Sequence, residues 1–289
     1  MVTKKQWIAN GLLLLTAAIW GFAFVSQKVG AEHVGAFTYN GVRFTLGGLV
    51  LWPVIVVLDR KSPPMAEVRR QTLRTGLVAG LILCTAASLQ QIGVAYTTAG
   101  KAGFLTGLYV VLVPVFGFLF LRQRVKAPVI AGMLLAAGGI YLLSVTEAFT
   151  IGRGDLLVLL AAVLWAVHIL YIDHYADRIH ALRMSSIQFL VTGLLSLLIA
   201  LITEPFSAAA FLSALPAILY GGLFSVGVGY TLQVIAQKNA KPAHAAILLS
   251  MESVFGALGG ALLLQERMGV RGAVGCALVF IAILLSQKQ

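Results

Sequence analysis

Ten apolar stretches, each of about 20 residues and so of spanning length, follow one another along the chain. They lie at 7–28, 36–58, 72–96, 100–121, 127–145, 154–174, 183–203, 212–237, 242–264 and 270–286. Short polar breaks separate them: Lys28–Gly35, Asp59–Arg74, Arg122–Pro128, Gly152–Asp155, Asp173–Arg183, Glu204–Pro205, Lys238–Pro242 and Glu266–Gly269. Inside each stretch the apolar residues run on instead of alternating with polar ones, which predicts helices and argues against a β-barrel. The break at Thr97–Lys101 is the least polar, so a long bent hairpin is compatible with that region too.

The pattern repeats. Leu89–Ser144 overlies Leu232–Gln287 without a gap, pairing Gln90 with Gln233, Leu105 with Leu248, Gly117 with Gly260, Arg124 with Arg267 and Gly132 with Gly275. The earlier part repeats with an offset two residues larger, placing Trp20 on Trp165 and Phe44 on Phe189. Each copy holds an odd number of helices, so the second must enter the membrane from the opposite side. Inverted repeats of this kind build alternating-access transporters, with the substrate site at their interface near the midplane. The expectation is an all-α polytopic membrane protein. Its ten transmembrane helices form two inverted five-helix repeats, residues 1–146 and 147–289, around a central cavity.

Composition sharpens this. Of 289 residues 60% are hydrophobic and 11% charged, with a mean hydropathy of +0.95. A soluble domain carries about 25% charged residues, so a water-soluble core is excluded. The net charge of +11 does not point to nucleic acid. With the N-terminus in the cytoplasm, fifteen of the 21 Lys and Arg residues fall in inside loops and five outside, while Arg43 lies within a span. That asymmetry places both termini in the cytoplasm. Cys84 and Cys276 sit inside spans, giving neither a disulfide framework nor a thiolate metal site. Lys4 and Lys5 before an apolar run resemble a signal peptide, but the match of that run to a later segment makes it a retained first helix.

Several motifs resemble the drug/metabolite transporter superfamily in its ten-helix EamA-like branch. They are Trp20-Gly21-Phe22-Ala23-Phe24, Arg43 midway along the second span, Ala95-Tyr96-Thr97-Thr98-Ala99, Met251-Glu252-Ser253-Val254-Phe255 and Gln265-Glu266-Arg267. Leu105–Arg124 is similar to the metabolite permeases and the YddG-type amino-acid exporters. The resemblance implies a basket in which spans one, three, four, six, eight and nine surround the cavity and five and ten support it. It also implies a bacterial inner (plasma) membrane. The chain departs from the family pattern at Ser253, where Pro is usual after the ninth-span carboxylate. It departs again at Gln123, where Glu is common.

Helical spacing selects the candidate substrate-binding residues. Thr16, Trp20, Ala23 and Gln27 form one stripe of the first span, and their repeat partners are Ala161, Trp165, His168 and Ile172. Cys84, Ser88 and Gln91 share a stripe of the third span, Tyr109 and Thr106 a face of the fourth, and Ser250 and Glu252 the ninth. Gln233 is the repeat partner of Gln90. Aromatic walls suit aromatic or cationic substrates; interfacial anchoring is the alternative for Trp, and fits Trp7 and Trp52. Arg43 is either a carboxylate clamp or a snorkelling structural residue. His168 is a titrating group or a packed, hydrogen-bonded one. Glu252, alone at depth, costs about 2.5–3.5 kcal/mol to insert there, and is either a coupling carboxylate or a structural partner. Asp173, His174, Asp177 and His180 read as a solvated loop, not a metal site. Gly256–Gly260, Gly132–Ala136 and Gly272–Cys276 are small-residue spacings for intramolecular helix packing.

The functional expectation is a secondary transporter that exports small polar metabolites, amino acids including aromatic ones first among them. Purines, other metabolites and drug-like cations fit the same residues. No nucleotide-binding fingerprint is present, so direct ATP coupling is unsupported. Proton coupling through Glu252 or His168 and facilitated exchange without protons are equally compatible, because Glu252 has no carboxylate counterpart at Tyr109. No cofactor, nucleic acid or obligate protein partner is implied beyond the lipid bilayer. An intramembrane enzyme has no supporting H-E-x-x-H pair or G-x-S-x-G elbow. A passive scaffold leaves the inverted duplication unexplained.

Overall fold

A computed structural model describes residues 3–61, 64–97, 99–123, 125–144, 151–263 and 269–286. Among these residues the chain is helical, with no strand. The helices are α1 (Lys4–His33), α2 (Ala36–Lys61), α3 (Ala66–Ala95), α4 (Ala99–Gly107), α5 (Tyr109–Leu121), α6 (Ala127–Ser144) and α7 (Arg153–Tyr175). They continue with α8 (Ala181–Thr203), α9 (Ala208–Leu219), a π-helical run (Tyr220–Tyr230), α10 (Thr231–Gln237), α11 (Pro242–Leu249), α12 (Glu252–Leu263) and α13 (Val270–Ser286). Seven segments among the described residues are long and apolar enough to cross a membrane; Ala127–Leu143 and Val270–Ser286 are shorter apolar helices. The charged breaks at Arg124, Lys288 and the Gln265–Arg267 motif lie outside the described residues, as do Thr98 and the repeat partner of Ser144, Gln287.

The helices start and stop for local reasons. Thr3 caps α1 through a box in which Gln6 N–H donates to Thr3 Oγ1 at 3.3 Å and Thr3 N–H donates to Gln6 Oε1 at 2.9 Å. Glu204, just past α8, receives Phe37 N–H and Thr38 N–H at 2.8 Å each and the Thr38 hydroxyl at 2.7 Å. A carboxylate from one helix end thereby satisfies the donors that open α2.

An apolar core is present, but unlike a soluble protein the chain also exposes large apolar side chains and buries many polar ones. Leu201, Ile202, Phe120 and Trp7 stand exposed, whereas Asn40, Gln188, Gln91 and Ser186 are buried. Lipid accepts the first group, and the buried polar groups find partners on neighbouring helices. Small residues bring those helices close. α2 packs on α8 where Gly48 meets Leu190, Gly193 meets Thr45, and the Ser186 hydroxyl donates to the Gly48 carbonyl at 2.9 Å. α6 packs on α13 through Gly132, Gly139 and Gly275. Gly21 of α1 lies against the α12 backbone, where an added methyl would fall 2.7 Å from the Glu252 carbonyl oxygen and the Gly256 nitrogen. Most of the closest helix pairs join the first half of the chain to the second.

Two helix lines are interrupted. The regular ladder breaks between α4 and α5, where Leu108 N–H turns to the Leu105 carbonyl at 3.3 Å. It breaks again between α11 and α12, where Met251 N–H turns to the Leu248 carbonyl at 3.2 Å. The repeat register overlays Leu108 on Met251, so the breaks fall at matching places. Tyr109 and Glu252 are the first residues of the helices that follow. The break at α12 forms without proline: Ser250 Oγ donates back to the Ile247 carbonyl at 2.7 Å, and Ser253 N–H reaches the Ser250 carbonyl at 3.1 Å.

Candidate functional site

The interrupted helices open onto a central cavity between the two halves of the chain. α1 supplies Trp20, Ala23, Phe24 and Gln27 at helical spacing, and α3 supplies Gln90. Thr106 and Tyr109 flank the first break and Glu252 follows the second. Trp165 and Ile169 come from α7, Ser225 and Tyr230 from the π-helical run, Gln233 from α10 and Arg43 from α2. The centres of water-sized spheres can explore about 40 Å³ here, room for ordered water but not for a larger solute without movement of the walls.

The π-helical run shapes one wall. A π turn misaligns backbone carbonyls, and α1 takes them up. Trp20 Nε1 donates to the Ser225 carbonyl at 3.1 Å and the Thr16 hydroxyl to the Gly229 carbonyl at 3.2 Å; the Ser26 hydroxyl donates to the Ala217 carbonyl of α9, just before the run, at 2.7 Å. Gly229 permits the first of these, because a side chain there would overlap the Trp20 indole.

Tyr230 is the hub. Its ring centroid lies 4.5 Å from Trp20, 6.0 Å from Trp165, 6.0 Å from Phe44, 5.9 Å from Phe189 and 6.5 Å from His168. Opposite the rings runs an amide chain. Trp165 Nε1 donates to Gln90 Oε1 at 2.7 Å, Gln90 Nε2 to Gln27 Oε1 at 3.1 Å, and Gln91 Nε2 to the Gln27 carbonyl at 3.1 Å. The Arg43 guanidinium is held by Asn40 Oδ1 at 3.0 Å and lies 4.7 Å from the Phe44 ring centre. Arg43 and Glu252 both face the cavity, yet among the described residues they form no ion pair. Glu252 Oε1, Tyr109 Oη and Thr106 Oγ1 are buried without hydrogen-bond partners. Unpaired buried oxygens around a small polar space can receive a ligand's donors.

Of the residues selected from sequence, Trp20, Arg43, Tyr109, Trp165, Gln233 and Glu252 meet at this cavity. The other five do not line it. Gln91 sits behind Gln27, and His168 is buried behind Tyr230 with its Nε2 2.9 Å from Gln188 Oε1. Cys84 points to Ser196, 3.9 Å away; Ser88 is buried with an unpartnered hydroxyl; Ser250 is spent on the helix break. Helical spacing gives a face but not the rotation that decides which edge of that face reaches the cavity. Tyr230, Ser225, Phe24 and Ile169 were missed as lining residues. For Tyr230 the available signal was its place between Gly229 and Gln233 on the eighth stretch.

This architecture has relatives. The family model of EamA-like transporters matches twice, over residues 7–145 and 152–287. The chain belongs to the EamA-like transporter family. It is a membrane transporter and not an enzyme. A protein of Archaeoglobus fulgidus described as an uncharacterized transporter is 29% identical over 281 residues, covering 97% of this chain and 86% of the relative. The uncharacterized transporter YoaV of Bacillus subtilis is 20% identical over 282 residues, covering 96% and 95%. The uncharacterized inner membrane transporter YedA of Escherichia coli is 22% identical over 280 residues, covering 95% and 89%. A crystal structure superposes with a TM-score of 0.77 at 20% identity over 97% of this chain and 98% of its own, a likeness of fold. The EamA-like motifs Trp20–Phe24 and Met251–Phe255 thus stand on α1 and at the α11–α12 break, facing each other where Gly21 meets Gly256.

Proposed function

We propose that this EamA-like protein exports small polar metabolites, amino acids first, by alternating access between two inverted five-helix halves, residues 1–146 and 147–289. In this reading the chain has ten spans with both termini in the cytoplasm, supported by the lysine and arginine asymmetry of its loops, and lies in the inner (plasma) membrane, supported by the name of the YedA relative. The observation that carries the reading is the enclosed cavity between the halves. It offers aromatic faces from Trp20, Trp165 and Tyr230, a cation from Arg43 and a carboxylate from Glu252. A zwitterion with an apolar side chain uses all three: its carboxylate takes Arg43, its ammonium takes Glu252, and its side chain lies on the rings. The openings of α5 and α12 at the cavity support an anionic group at the same level.

Glu252 also supports proton coupling, since protonation and ammonium binding would compete for one carboxylate. Counterflow in proteoliposomes with labelled amino acids, purines and aromatic cations tests the substrate class. Accumulation of amino acids against preloaded unlabelled ones is expected. Exchange confined to purines or to singly charged cations would reject the amino-acid reading and leave transport standing.

A further inference from the structure

A second, larger cavity opens at the end of the molecule that carries the lysine-rich loops, where centres of water-sized spheres explore about 660 Å³. Its walls are of opposite charge. On one side the end of α7 and the turn after it present Asp173 and Asp177. On the other, Lys241 and Pro242 open α11, with Ala243 in its first turn; Lys238 lines the cavity too, but its Nζ donates to the Ile179 carbonyl at 3.3 Å, just past the turn that carries Asp177. A helix start offers backbone N–H groups that its own ladder does not use, and these favour a carboxylate. Between the walls lies Gln237, 2% exposed, with Oε1 buried and unpartnered.

Gln237 also faces inward. It sits one helical turn from Gln233, which lines the central cavity, so the two amides are about 6 Å apart along the axis. Gln237 Nε2 donates to the carbonyl of Ile169 at 2.9 Å, and Ile169 lines the central cavity as well. One amide and one peptide carbonyl therefore stand in the wall between the two spaces.

We propose that this vestibule is a separate binding site for a zwitterionic solute, its carboxylate at the start of α11 with Lys241, its ammonium at Asp173 and Asp177. From there the solute passes Gln237 into the central cavity. The inference rests on the reading that the chain carries small polar solutes, and it adds a loading site on the cytoplasmic side of the proposed topology. A pocket that sets two carboxylates apart from the lysines at the start of α11, with Lys126 adding a third cation to its wall, discriminates by dipole, which a singly charged analogue cannot match at both ends.

The test is chemical protection of Asn239→Cys, an exposed residue of the vestibule wall. The full-length protein in detergent is labelled with a maleimide, and background from the parent chain, which has Cys84 and Cys276, is subtracted. L-phenylalanine, L-leucine and L-serine are expected to slow labelling at least threefold at concentrations where phenethylamine and phenylpropionate do not. Asp177→Asn and Lys241→Gln should each abolish that protection, whereas Trp165→Ala in the central cavity should keep it. Equal protection by the singly charged analogues, no protection by any of the amino acids, or loss of protection in Trp165→Ala would each overturn the proposal. Counterflow of the same amino acids separates the two readings. Protection without counterflow rejects amino-acid transport and keeps the vestibule site; counterflow without protection does the reverse.

Discussion

At the scale of single residues, the two tryptophans differ in what holds them. Trp165 is tied to Gln90 at 2.7 Å, a side chain on another helix, while Trp20 is tied to the Ser225 carbonyl at 3.1 Å. Both indoles also stack near Tyr230. Replacing either with Ala is expected to raise the half-saturating substrate concentration at least about tenfold, the factor that ~1.4 kcal/mol of lost contact produces. Folding and insertion should survive, which size-exclusion chromatography of the purified variants checks. Unchanged apparent affinity would mark the rings as packing alone. Glu252 makes a sharper case. Its Oε1 has no hydrogen-bond partner within normal geometry, and the Tyr109 side chain is its neighbour across the two helix breaks. Glu252→Gln should leave the melting temperature within a few degrees, weaken counterflow because the substrate ammonium loses its carboxylate, and remove accumulation driven by a proton gradient. A stable variant with gradient-driven uptake intact would reject the coupling role; a large fall in melting temperature would make Glu252 structural after all.

At the scale of helices, close approach is set by glycine and by shared polar caps. Gly21 admits the α12 backbone, and Gly21→Val would drive two methyl groups toward the Glu252 carbonyl and the Gly256 nitrogen. Overpacking of this kind costs about 1–3 kcal/mol, so a lower melting temperature is expected, with weaker transport because the cavity helix α12 is displaced. A melting temperature equal to that of the parent would mean the α1–α12 contact is looser than its geometry. Glu204 joins α8 to α2 through three hydrogen bonds. Glu204→Ala should lose about 0.5–2 kcal/mol, the usual range for a helix-start cap, and Glu204→Gln should lose less because an amide oxygen still accepts. Thermal unfolding in detergent ranks the three proteins; an Ala variant as stable as Gln would show that solvent replaces the cap without loss.

At the scale of the whole molecule, the expected orientation can be read by labelling intact cells. Glu32 and Arg178 are both exposed and lie at opposite ends of the helices in the proposed topology. Glu32→Cys should react with an impermeant maleimide, and Arg178→Cys should react only after the membrane is opened. The reverse pattern would overturn the orientation, and reaction of both positions from the same side would overturn the inverted arrangement of the halves. Ser62, Ala148 and Gln289 lie outside the described residues.

Hydropathy and duplication were enough to establish a helical, duplicated membrane transporter, because a bilayer leaves the backbone few solutions and each apolar stretch announces itself locally. They also put Tyr109 and Glu252 at matching places, since the repeat register is a property of the chain alone. What they could not supply was rotation and local pitch. Cys84, Ser88, Gln91, His168 and Ser250 carry the right polarity and spacing, but a rotation of one helix by a fraction of a turn sends each to a neighbouring helix or into a backbone turn. Tyr230 became the hub of the cavity because the stretch before it winds as a π-helix, whereas its repeat counterpart in α3 stays α-helical. Two carbonyls of the π-helical run, at Ser225 and Gly229, are taken up by Trp20 and Thr16 of α1, contacts between residues some 200 positions apart that exist only once the helices are packed.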